Sequence, residues 1–228
     1  MILDVTSAVR LSLVVGVAAA ALGLVPATGV AWLLARGTFR GKSVLSAVVL
    51  APLVLPPVVT GLLLLRVFGR SSPFGGALDA IGLPVPFTLL GAVIAALVVG
   101  FPVYVMTIRG AIEAVDRRYE EVSRSLGVPP ARTVWRVTLP LAFPGIAAGV
   151  VLAFARGLGE FGATAIIAGN MEGRTRTIAL AVYALLDAPG DDPRSAWLVG
   201  ASAALAFAAL VGFEALTRWQ RRRLELDG

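Results

Sequence analysis

Three stretches of this chain bring charges, glycines and prolines together at spacings capable of chemistry. Gly37-Thr38-Phe39-Arg40-Gly41-Lys42-Ser43 has the glycines, lysine and hydroxyl of a phosphate-binding loop. Such a loop needs four residues between its glycines so that successive N–H groups can wrap a phosphate. Here there are three, and Arg36 stands where the glycine would have to be, so a tight basic turn is the better reading. Glu160 follows Arg156 at i+4 among Gly157, Gly159 and Gly162, where a helix can bend or end. The third stretch, from Asp116 to Pro140, alternates charged and apolar residues before Gly127, Pro129 and Pro130 interrupt it. The chain has no histidine and no cysteine, so serine–histidine hydrolysis, zinc-dependent hydrolysis and thiolate chemistry are excluded. No catalytic residue, metal ligand or cofactor site is expected.

The elements that position these residues follow from composition. Of 228 residues 57% are apolar and 15% charged, and the mean hydropathy is +0.86. A soluble domain carries about 25% charged residues, so the chain does not face water over its whole surface. A helix crossing an apolar layer of about 30 Å needs roughly 20 apolar residues, and five gaps between charges are long enough. They hold 25 residues (Arg10 to Arg36), 23 (Lys42 to Arg66), 29 (Asp79 to Arg109) and 19 each (Arg136 to Arg156, Arg194 to Glu214). The expected spans are about 11–35, 43–65, 83–108, 137–156 and 195–216. The runs after Glu160 and after Arg176 are too short to cross and read as re-entrant or interfacial pieces. The first run is too long for a cleaved leader and is taken as a retained span.

Five spans put the termini on opposite sides, and excess Lys and Arg marks the cytoplasmic one. With the basic ending Arg218, Arg221, Arg222, Arg223 inside, thirteen basic residues lie inside and seven outside, while the acids divide seven and seven. The net charge of +6 therefore reports an orientation, N-terminus out and C-terminus in, rather than a nucleic-acid partner.

Within the cytoplasmic loop 109–136, Asp116 is a plausible helix N-cap. Tyr119, Val122 and Leu126 recur at i, i+3 and i+7, Gly127 stops the helix, and Pro130 starts a second short helix through Trp135. Leu139-Pro140 follows at the mouth of the fourth span. Two readings stand: an interfacial pair on lipid headgroups, or a docking helix for a soluble partner. Pro52, Pro56 and Pro57 kink or break the second span, either as packing or as a pathway-lining helix. Gly145-x-x-x-Gly149 reads as close packing. Glu160 is a span-end ion pair or a gate residue. Arg174 and Arg176 are solvated loop charges or an anion-attracting entrance.

Glu121-Val122-Ser123, three residues, Gly127, nine residues, then Val137-x-Leu139-Pro140 resembles the cytoplasmic EAA loop of ATP-binding-cassette (ABC) importer permeases. Val122, Ser123 and Val137 are mild departures from that pattern. Pro52 to Gly61, Ala153 to Thr164 and Arg174-Thr175-Arg176-Thr177-Ile178 resemble segments of the molybdate importer permeases within that family. The resemblance implies an all-α integral membrane protein, a single permease domain over 1–228 with five transmembrane helices and a coupling-helix loop, of the type I ABC importer permease fold. It implies an ATP-driven importer of molybdate in the cell membrane. The partners would be a second permease copy, two ATPase subunits on separate chains, and an extracytoplasmic oxyanion-binding protein. The coupling residues would be Asp116, Tyr119, Glu121, Leu126, Gly127, Leu139 and Pro140; the pathway or gate candidates are Pro56, Pro57, Glu160 and Arg176. Sulfate or tungstate are alternative cargoes. A stand-alone secondary carrier would want a charge within a span or an internal repeat, and neither is found.

Overall fold

The computed structural model describes residues 5–186 and 193–226, which form helices and turns with no strand among the described residues. Asp4, the stretch 187–192 and the side chains of Arg194, Arg221, Arg222 and Arg223 lie outside them. In chain order the helices are α1 (Val5–Arg36), α2 (Lys42–Val54), α3 (Pro57–Phe68), α4 (Pro73–Ala80), α5 (Leu89–Glu113) and α6 (Arg117–Ser125). There follow α7 (Pro130–Thr133), a π turn (Val134–Thr138), α8 (Leu139–Leu158), α9 (Gly162–Ile167), α10 (Ile178–Leu186) and α11 (Pro193–Leu226). Four helical stretches are long and apolar enough to cross a membrane: Val5–Arg36, Leu89–Glu113, Pro130–Leu158 and Ala196–Trp219.

The second expected span is a bent pair rather than a rod. Helices α2 and α3 meet at 115°, and of the three prolines only Pro56 and Pro57 mark the break. Pro52 stays inside α2, whereas Pro56 caps α3 and Pro57 occupies its first turn. A proline there sacrifices nothing, because a first-turn N–H has no helical partner in any case.

Past Pro130 the structure corrects the short helix through Trp135. Helix α7 does not stop; it runs through the π turn into α8 as one helical stretch from Pro130 to Leu158. The reason is local: the π turn carries the helix across the junction, with the Leu139 N–H reaching the Val134 carbonyl just before Pro140, so the chain does not stop at Trp135.

Packing between the long helices relies on small residues. Gly16 of α1 lies under the Phe154 ring, and Gly23 of α1 and Gly149 of α8 flank the Tyr104 ring of α5 from two sides. The Tyr104 hydroxyl donates to the Ala20 carbonyl at 3.1 Å, so one buried aromatic fastens α1, α5 and α8. Helix α11 leans on α8 and leaves Phe207, Leu210 and Val211 exposed, as a helix surrounded by lipid would.

Backbone also approaches backbone closely where α3 meets α9. A Cβ on Gly61 would stand 2.8 Å from the Ala163 Cα and 2.9 Å from its carbonyl oxygen, and backbone cannot yield as a side-chain tip can. Gly61→Val is expected to lower the apparent melting temperature in detergent by about 3–10 °C, from roughly 1–3 kcal/mol of overpacking. Gly200→Val on α11, where nothing stands within 4 Å, is the control and should leave it unchanged.

Candidate functional site

The candidate residues gather at two opposite ends of α5 and α8. At the first end α6 forms because both its termini are satisfied locally. The Asp116 carboxylate accepts from the Arg118 N–H at 2.9 Å. At the other terminus Gly127, with φ of +79°, lets its N–H reach the Arg124 carbonyl at 2.9 Å and the Val128 N–H reach that of Ser123 at 3.2 Å. This paired closure requires the left-handed conformation that glycine takes without penalty.

The apolar stripe of α6 points outward. Tyr119, Val122 and Leu126 are 39%, 59% and 77% exposed. With Asp116, Val128 and Val137 they line a groove of about 690 Å³. Glu121 is exposed on the polar side of α6, where it lines a separate cavity with Arg36, Glu120 and Thr133; Pro140 is exposed at the base of α8, and Leu139 is half-buried. An amphipathic helix ordinarily turns its apolar side to its own core; here that side is left uncovered.

What holds α6 in place is a polar face that the sequence reading did not single out. The Glu120 Oε1 accepts from the Arg36 Nε at 2.9 Å and from the Thr138 hydroxyl at 3.0 Å. Arg36 also donates from Nη2 to the Val115 carbonyl at 2.7 Å. Ser123, noted above only as a departure from the EAA pattern, shares a 2.9 Å hydrogen bond with Thr133 and so fastens α6 to α7. Arg36 and Glu120 stand 84 residues apart, and no local signal pairs them. The one available hint is that Glu120 falls off the Tyr119–Val122–Leu126 stripe.

At the second end, Glu160 is 3% exposed. One carboxylate oxygen pairs with Arg156 at 3.2 Å and the other accepts from the Ala163 N–H at 2.8 Å, capping α9. Pro57 lies against Gly162, whose Cβ would meet the proline Cβ at 2.9 Å, so the break in the second span and the Glu160 turn form one junction. Pro56 is exposed at the bend. Arg176 corrects the solvated-charge reading: it is 7% exposed, donates to the Asn170 Oδ1 at 2.8 Å and pairs with Glu172 at 3.4 Å. Burial makes those partners its substitute for water. Arg174, by contrast, is exposed.

The α6 geometry carries a direct test. Gly127→Val forces a branched side chain into the left-handed region and opens the closure of α6. Amide exchange over 117–126 should then rise about tenfold, the equivalent of roughly 1.4 kcal/mol of local stability; exchange unchanged there would contradict the capping account.

Comparison with known proteins places this architecture. Residues 27–225 match the family described as binding-protein-dependent transport system inner membrane component. The chain is 48% identical over 194 residues to the molybdenum transport system permease protein ModB of Escherichia coli (strain K12), covering 85% of each. It is 42% identical over 220 residues to ModB of Haemophilus influenzae, covering 96% of this chain and 94% of that one. Among solved structures, a chain of an amino acid ABC transporter crystallised with histidines superposes with a TM-score of 0.61 at 20% identity, covering 96% of this chain and 93% of that one. The MetNI methionine ABC transporter in its inward-facing form gives 0.58 at 16% identity, covering 97% and 93%. The all-helical fold is thus that of a type I importer permease, and the chain belongs to the inner membrane components of binding-protein-dependent transport systems.

Proposed function

We propose that two copies of this chain form the translocation pathway of an ATP-driven molybdate importer, with ATP hydrolysed by two separate subunits and the oxyanion delivered by an extracytoplasmic binding protein. The observation that carries the reading is the uncovered apolar stripe of α6, mounted on a rigid polar base at the end of the long helices. It has the form of a helix laid into a partner's groove, and the molybdenum permeases named above support the cargo. Sulfate and tungstate share the tetrahedral dianionic chemistry and are the cargoes to test beside it.

In this reading Asp116, Tyr119, Glu121, Leu126 and Gly127 present the docking helix, and Leu139 and Pro140 receive its motion at the start of α8. The pathway runs along the bent α2–α3 pair, whose Val48, Leu53, Val54, Val58 and Leu62 are exposed and await a second copy. Glu160 does not bind the anion: both its oxygens are engaged and its charge repels an oxyanion. It acts instead on the gate by holding α9 against Pro57. Arg176 likewise shapes the turn between α9 and α10 near the gate.

Glu121→Lys reverses an exposed charge that makes none of the hydrogen bonds holding α6. It should reduce co-purification with the ATPase by about tenfold or more, the cost of one misplaced interface charge, while membrane insertion stays normal. An ATPase that still co-purifies in full, or uptake into proteoliposomes driven by an ion gradient without ATP, would overturn the reading.

The orientation proposed, N-terminus outside and C-terminus in the cytoplasm, rests on the excess of basic residues in the α6 loop and tail. Because the chain has no cysteine, one introduced thiol is labelled without background. In intact cells an impermeant maleimide should modify Ile81→Cys and leave Ser125→Cys unlabelled until the membrane is opened; the reverse pattern would invert the topology.

A further inference from the structure

Helix α6 divides its circumference between two tasks, and the second has its own residue. Glu120 and Glu121 are adjacent in sequence, so they project about 100° apart around the helix. Glu121 is exposed, whereas the Glu120 side chain is only 13% exposed and faces an Arg36 side chain only 9% exposed. Three long helices converge there. Arg36 is the last residue of α1, Val115 lies in the turn that ends α5, and Thr138 is the fully buried last residue of the π turn that opens α8. Glu120 binds Arg36 and Thr138 directly, and Arg36 binds Val115. On either side of α6 the backbone is a turn, Val115–Asp116 before it and Gly127–Val128–Pro129 after it. Without these bonds the helix would be a hinged flap, fastened to the rest chiefly by the Ser123–Thr133 hydrogen bond.

We propose that Glu120 is the positioning residue that makes α6 one rigid body with the ends of α1, α5 and α8, so that force applied to the exposed face of α6 tilts all three helices instead of swinging α6 alone. Charge-assisted hydrogen bonds shielded from water are short, directional and stiff. The inference rests on the transport reading above and adds to it a residue outside the docking face. It separates two functions by helix face: the outward side recruits the motor, and the inward side transmits its stroke. The π turn carrying Thr138 is part of the device, since a local widening at this point is a natural place for α8 to bend or stiffen.

The experiment is reconstitution of the permease with its ATPase and binding protein in proteoliposomes, reading ATPase co-purification, ATP turnover, and molybdate taken up per ATP hydrolysed. Wild type is measured first, and a wild type that recruits no ATPase overturns the transport reading and this inference with it. For Glu120→Gln the ATPase should co-purify at the wild-type ratio and ATP turnover should stay within about twofold, while uptake per ATP falls about tenfold, a usual size for coupling between sites. Thr138→Val removes a single hydroxyl, keeps the shape, and serves if Glu120→Gln fails to insert; it should lower uptake per ATP by about threefold with assembly intact. Arg36→Gln combined with Glu120→Gln should be no worse than the poorer single variant, because both break one link. Unchanged uptake per ATP in Glu120→Gln or Thr138→Val, loss of the ATPase from either, or losses that multiply in the double variant would each overturn the role.

Discussion

In apolar surroundings a backbone N–H or carbonyl without a partner has no water to turn to, and the breaks in this bundle occur where the protein itself supplies the missing partner. At the bend of the second span the Leu55 N–H closes α2 on the Ala51 carbonyl, Pro56 and Pro57 have no N–H to satisfy, and the Pro56 carbonyl accepts from both Val59 and Thr60. Where α8 gives way to α9, the Glu160 carboxylate caps the new helix. Beyond α9 the Met171 carbonyl accepts from the N–H groups of Arg174, Thr175 and Arg176, and the Ser12 hydroxyl of α1 accepts from Ile178 at the start of α10. At these places irregular backbone finds such partners, and they include one end of the proposed pathway.

The same constraint explains why the bundle is built on small residues. Between helices in lipid, burial of apolar surface contributes little, so association depends on close contact and on hydrogen bonds. Glycines 16, 23 and 149 admit the rings of Phe154 and Tyr104, and the Tyr104 hydroxyl closes on a helical carbonyl. At the α3–α9 junction backbone nearly touches backbone at Gly61 and Ala163, so the bent span packs directly against the helix that the Glu160 turn begins.

Helix α6 shows how one short segment serves two surroundings. Its Asp116 cap and its Gly127 closure make it self-sufficient, so its side chains are released for other uses. The inward Glu120 and Ser123 are polar and are consumed by Arg36, Thr138 and Thr133; the apolar Tyr119, Val122 and Leu126 are left exposed among charged neighbours. This inversion of the usual amphipathic arrangement is what gives the helix the look of an unfinished interface.

Much of this was legible in the chain. Long gaps between charges are a direct image of the apolar layer, since an unpaired charge there is costly. Asp116 and Gly127 declare the ends of α6 because caps and left-handed turns are local chemistry, and the Pro56-Pro57 pair announces a break for the same reason. Arg156 and Glu160 could be paired from spacing, since i+4 residues share a helix face. What spacing did not contain was which way each face would turn. The stripe Tyr119–Val122–Leu126 reads the same whether it faces a core or a partner, and Arg176 reads as a loop charge until the fold encloses it with Asn170 and Glu172. The Glu120–Arg36 pair joins residues 84 positions apart, and only the convergence of α1, α5 and α8 creates the contact. Local sequence determined where helices begin, break and end; the tertiary structure alone decided which polar groups lost their water and therefore had to find one another.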